Sequence, residues 1–147
     1  MSTSHKPLWR CPRCARRFAN TNQTHCCSAV PLAAHFKGRP PETRRLYNAF
    51  LAAVRSQGPV KVVPEKTRIA FQVRMSFAAL MTRRGYLRGH LVLARRCERP
   101  CFYKVETFSP QNHLHAFELR CAEQLEGELG DSIAEAYRVG CQDHLLR

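Results

Sequence analysis

Acidic residues are scarce through most of this 147-residue chain. Residues 1–104 hold 3 acidic side chains against 21 basic ones, whereas residues 105–147 hold 8 against 3. The basic stretch offers no evident pair of carboxylates for general acid–base work. Long apolar runs are missing too. The longest, Ala49–Val54, is far too short to cross a bilayer, and Met1–Leu8 lacks the apolar core of a secretory leader. These absences lead to the expectation of a soluble, cytoplasmic protein with no membrane partner. Its eight cysteines are then reduced or metal-bound rather than paired in disulfides. No phosphate-binding Gly-Lys-Ser/Thr loop, Gly-x-Ser-x-Gly elbow or His-Glu-x-x-His pair occurs. The reading that follows from these gaps is a binding protein rather than an enzyme.

Large apolar side chains are few in the first 36 residues: Leu8, Trp9, Phe18, Val30, Leu32 and Phe36. That is too little for a core, so a metal clip is the expected device there. The spacing supplies one. Cys11-Pro12-Arg13-Cys14 is followed after ten residues by His25-Cys26-Cys27. A Cys-x-x-Cys turn presents two thiolates to a tetrahedral Zn²⁺, and a second pair completes the set. Neighbours in an extended segment point to opposite sides while i and i+2 share a side. This favours Cys11, Cys14, His25 and Cys27 as ligands of a structural zinc, with Cys26 as the alternative. Trp9 and Phe18 flank this knuckle.

Gly38-Arg39-Pro40-Pro41 breaks the chain and separates a knuckle and connector (1–36) from a larger domain (37–147). A helix is expected over Pro41–Ser56, with Leu46, Phe50 and Val54 on one stripe. The middle alternates as strands over Val60–Val63, Thr67–Val73, Ser76–Met81 (continuing the previous strand or forming another), Tyr86–Leu93, Phe102–Phe108 and Leu114–Leu119. A last helix is expected over Ala122–His144, with Leu125, Leu129, Ile133, Tyr137 and Cys141 every four residues. The fold class is therefore α+β: an antiparallel sheet of about five strands between an N-terminal and a C-terminal helix, preceded by a small zinc-knuckle module.

Three stretches resemble a bacterial family, the domain of unknown function 5655, in its version with an N-terminal zinc-knuckle-like segment. They are Cys11–Cys14 with Phe18 and Asn22–His25; Val63–Phe71; and Val105–Thr107 with His113–Phe117. The resemblance covers most of the chain. The resemblance carries no activity with it. It departs from the family pattern twice: Ala15 stands where glycine usually follows the second cysteine, and two cysteines follow His25 where one is usual. Both departures bear on the ligand set, and the second leaves the choice between Cys26 and Cys27 open.

Beyond the knuckle, two constellations are candidates. Arginines outnumber lysines 19 to 5, and arginine suits phosphate and carboxylate. Arg13, Arg16, Arg17, Lys66, Arg68, Arg74, Arg83, Arg84 and Arg88 are the candidate contacts to nucleic acid or another anion, several of them on the outward parity of the strands. Lys66 and Arg68, beside Glu65, form a candidate anion pocket. His113 and His115 share strand parity with Phe117 and Leu119 and are candidates to line a pocket, with His90 approaching from another strand. The first reading is a basic zinc protein that contacts nucleic acid through phosphates. The alternatives are an anion- or protein-binding module with a pocket at His113/His115, or an acidic protein surface as partner, and then a metal-dependent hydrolase. Cys97, Cys101, Cys121 and Cys141 do not read as a second metal site; Cys121 and Cys141 are expected in the core.

Overall fold

A computed structural model of the chain describes residues 5–25, 27 and 30–145. Cys26, the alternative ligand, lies outside the described residues. The N-terminal segment forms a two-stranded antiparallel ribbon, β1 (Trp9–Arg10) and β2 (Arg17–Phe18), around the Cys-x-x-Cys turn. The connector winds into one 3₁₀ stretch, Leu32–Phe36. Leu32 and Phe36 pack on the core of the larger domain, with the Phe36 ring 5.2 Å from that of Tyr47.

Helix α1 (Pro41–Arg55) begins with proline, whose missing N–H has no intrahelical partner to lose, and carries Glu42 in its first turn. Its stripe buries Leu46, Tyr47, Phe50 and Val54. Thr43 fixes its start: its hydroxyl donates to the Arg83 carbonyl and accepts the Gly85 N–H. At the far end Gly58 takes φ +149°, and a Cβ there would lie 2.5 Å from the Tyr137 hydroxyl oxygen.

Among the described residues the larger domain has two α-helices and a six-stranded antiparallel sheet. The strands are β3 (Lys61–Pro64), β4 (Ile69–Gln72), β5 (Ser76–Thr82), β6 (Leu87–Leu93), β7 (Lys104–Ser109) and β8 (Asn112–Leu119), in the order β3-β4-β5-β6-β8-β7. The expected α+β arrangement is present, with six strands rather than about five. The chain bends at Val73–Met75, where the N–H groups of Arg74 and Met75 donate to the Gly140 carbonyl, so β4 and β5 pair as a hairpin. Pairing jumps from Phe71↔Ala78 to Gln72↔Ser76. Phe77 is the extra residue of this bulge, and its ring meets Tyr137 at 5.5 Å.

The helices share one face of the sheet. Phe50 of α1 packs on Phe71 and Phe117, and Leu80, Leu87, Leu91, Leu93 and Leu119 are fully buried beneath. The C-terminal helix is shorter than its periodicity suggests. Helix α2 spans Glu128–Gly140, with 3₁₀ stretches at Ala122–Glu126 and Asp143–Leu145. Gly127 leaves helical geometry (φ −119°, ψ −137°) and Gln142 turns left-handed (φ +61°), which ends the i→i−4 ladder at both sides. Cys121 is exposed and caps the first 3₁₀ stretch rather than packing in the core. No helix among the described residues is long and apolar enough to cross a membrane.

Candidate metal centre and the adjoining cleft

Strand pairing puts Trp9 opposite Phe18 and Arg10 opposite Arg17. The aromatic pair faces inward and shelters His25: Phe18 lies 4.4 Å and Trp9 6.3 Å from its ring. Between the strands the chain reverses tightly, with Cys11 N–H donating to Arg16 O and Ala15 N–H to Cys11 O, both at 2.8 Å. Ala15 adopts φ +64° to close this turn, a conformation that costs an L-residue with a side chain roughly 1–2 kcal/mol.

The turn brings Cys11 and Cys14 against His25 and Cys27. The four ligating atoms all lie within 4.8 Å of one another, a group able to hold a metal ion. Cys11 and Cys27 sulfurs are 3.7 Å apart, well beyond a disulfide's ~2.05 Å. His25 Nε2 lies 3.2 Å from the Cys14 sulfur and 3.3 Å from that of Cys27. Its other nitrogen, Nδ1, donates to the Gln23 carbonyl at 2.6 Å, which fixes the tautomer and aims the Nε2 lone pair at the thiols. The backbone N–H of Cys14, with that of Arg13, holds the Cys11 thiol down at about 6. Burial and the neighbouring sulfurs push Cys27 up to about 11. The Gln23 carbonyl raises His25, supported by the adjacent sulfurs.

The knuckle is fastened to the larger domain by Arg16. It is 8% exposed; its guanidinium lies over Phe18 at 4.8 Å, reaches Glu65 at 3.3 Å and donates to Gln72 Oε1 at 3.3 Å. Gln72 donates in turn to the Arg17 carbonyl. Arg16 therefore joins two parts of the fold, and this removes it from the phosphate-contacting set. The other predicted cations are dispersed. Arg88 is tied to Glu118, and Arg68 uses Nε on Glu65. Arg74 sits at the bend, donating to Gln142 and to the Lys6 carbonyl. Arg83 and Arg84 lie in the β5–β6 turn. Arg13 and Arg17 are exposed on the knuckle, where Arg10 joins them. The mirrored Trp-Arg and Arg-Phe pairs flanking the turn were the signal for that grouping.

A cleft of about 660 Å³ opens between the knuckle and the sheet, lined by Arg16, Glu65, Lys66, Arg68 and Arg74 together with polar residues of both parts. The wall at Glu65, Lys66 and Arg68 is the anion pocket expected from the sequence; that residues 16–25, 111–112 and 142–145 complete it was not visible there, because these segments are distant in the chain.

The three histidines occupy different surroundings. His115 is fully buried; its Nδ1 donates to the His113 carbonyl and its Nε2 accepts the Cys97 N–H at 2.8 Å. His113 accepts from Thr107 and donates to the Pro110 carbonyl. Both rings are thus held by local hydrogen bonds on the helix side. His90, paired between Ala79 and Ala116, points to the opposite face, so the structure does not bring it to the other two. Burial, with Arg68 contributing, holds His90 down at about 4.

Compared with known proteins, residues 32–140 match the model of a family described as a domain of unknown function, DUF5655. No curated protein and no solved structure matches the chain.

Proposed function

The chain belongs to the DUF5655 family, and we propose that it is a zinc-clipped member that binds nucleic acid through phosphates. One observation carries the reading. Arg10 and Arg17 stand directly opposite each other on the exposed side of the ribbon, with exposed Arg13 in the turn between them. Like charges in directly paired positions repel, and residues 1–41 contain no Asp or Glu to relieve them. A polyanion laid across the ribbon relieves that repulsion and gains from counterion release.

Zinc suits the donor set. Tetrahedral Zn²⁺ with bonds of about 2.3 Å to sulfur and 2.0–2.1 Å to nitrogen needs S···S near 3.8 Å and S···N near 3.5 Å. Cys11 and Cys27 are 3.7 Å apart, His25 lies 3.2 and 3.3 Å from Cys14 and Cys27, and all four donor atoms lie within 4.8 Å of one another. A bound Zn²⁺ would supply charge to hold three thiolates together and crosslink a segment that has little apolar core. Four protein ligands leave no open position, so the role is structural. Cys11, Cys14 and Cys27 would hold the ion as thiolates, and His25 would do so as the Nδ1–H tautomer.

The test is fluorescence anisotropy with short DNA and RNA across a salt series. Affinity is expected to fall steeply with salt. Arg10→Ala/Arg17→Ala should flatten the log–log slope by about 2, close to one unit per lost phosphate contact. Binding that barely responds to salt, or a double variant with unchanged slope, overturns the reading.

A further inference from the structure

We propose that the cleft between knuckle and sheet is a separate site for a phosphomonoester, either the terminal phosphate of a nucleic-acid strand or a free mononucleotide. Its volume of about 660 Å³ falls within the roughly 300–1,000 Å³ of small-ligand sites. Its charge is one-sided. Glu65 is the one carboxylate among its lining residues, and both its oxygens are engaged, Oε2 by Arg16 and Oε1 by Arg68. That carboxylate positions Arg68 instead of repelling an incoming anion.

Three cationic ends remain. Arg68 gives Glu65 only its Nε, at 2.8 Å, which leaves the Nη edge that forms paired bonds to phosphate. Arg74 uses Nε and Nη2 on Gln142 and Lys6, leaving Nη1. Lys66 is exposed and has no ion pair among the described residues. Three such ends match a monoester, which carries about −1.5 to −2 at neutral pH, better than a diester carrying a single charge. Neutral amides supply part of the remaining wall, Asn20 and Gln23 from the knuckle and Gln111 from the β7–β8 turn, while Phe18, Met75 and Leu145 give it an apolar side. The amides suit the donors and acceptors of a sugar or base. Arg10, Arg13 and Arg17 do not line the cleft, so the two sites are distinct. The ribbon reading provides one source of a terminal phosphate, but the chemistry of the cleft does not depend on it.

The experiment uses the full, zinc-loaded chain and two matched probe pairs. One pair is adenosine 5′-monophosphate against adenosine; the other is a short single strand with a 5′-phosphate against the same strand with a 5′-hydroxyl. Titration calorimetry should show the phosphate-bearing nucleoside binding at least about tenfold tighter than adenosine. Lys66→Glu and Arg68→Gln, each checked for unchanged zinc content and melting, should abolish that preference. Arg10→Ala/Arg17→Ala should leave it intact. Lys66→Glu changes an exposed side chain, so folding is not at stake in it. A mononucleotide preference with equal binding of the two strands identifies the free mononucleotide as ligand and upholds the site. A phosphate preference shared by both probe pairs identifies the strand terminus as well. A preference confined to the strand pair identifies the strand terminus as ligand; equal or absent binding within both probe pairs, or a preference that survives Lys66→Glu, overturns the proposal. The salt response of the hydroxyl strand reports on the ribbon alone, so failure of either site is read separately.

Discussion

Ala15 shows how much a single backbone angle matters in a knuckle this small. At φ +64° it holds the turn that sets Cys11 against Cys27, where glycine would do so without steric cost. Ala15→Gly should therefore stabilise the metal-bound knuckle by about 1 kcal/mol, read as a higher chelator concentration needed to strip the metal. The ligands themselves are tested by elemental analysis. Wild type should contain one zinc per chain, and Cys11→Ser/Cys14→Ser should contain none; metal retained by that double variant would place the site elsewhere. Both outcomes follow from a cluster whose parts come from two short segments, with little apolar packing to hold them once the ion is gone.

Among the elements, helix α2 depends on contacts at its C-terminal end. Tyr137 donates to the Pro59 carbonyl at 2.6 Å across the turn that follows α1, and Gly58 leaves room for the phenol. Gly58→Ala is expected to cost about 2 kcal/mol, combining an unfavourable positive φ with displacement of that hydroxyl. Tyr137→Phe keeps the ring and removes only the hydrogen bond, so it should cost about 1 kcal/mol. Denaturant melts of the two variants separate the terms; equal losses would contradict the assignment. The same end of α2 accepts the bulged Phe77, and a Cβ at Gly140 would come within 2.4 Å of that ring. Helix and bulge are therefore fitted to each other.

Across the whole molecule, the few carboxylates are concentrated in pairs: Arg88 and Arg120 with Glu118, Arg95 with Glu135, Arg16 and Arg68 with Glu65. The unpaired positive charge that remains on the ribbon is what the salt series reads. Stability should also depend on acidity. His90 titrates at about 4 in the folded protein against an ordinary 6.5, because burial disfavours its charged form. The unfolded chain thus takes up this proton first as pH falls. The stability due to neutral His90 is complete above about pH 6.5 and is lost towards pH 4, by at most about 3 kcal/mol. His115 shifts in the same direction for the same reason. Melting temperatures measured between these limits should fall for wild type and fall less for His90→Gln; parallel curves would show that His90 is not responsible.

A Cys/His group able to hold a metal ion was legible in the sequence because Cys-x-x-Cys geometry is a local property of a chain. The same holds for helix α1, whose apolar stripe, proline start and Gly-Pro stop lie within 19 residues of one another, and for the alternation that set the strands. Tertiary structure decided what depends on distant partners. Arg16 reads as one more exposed cation until Glu65 and Gln72 are folded against it. His90 reads as a neighbour of His113 and His115 until strand pairing places it across the sheet. The bend at Val73–Met75 is fixed by a carbonyl from the other end of the chain. Local pattern specifies which groups a segment offers; only packing decides which of them remain available to something else.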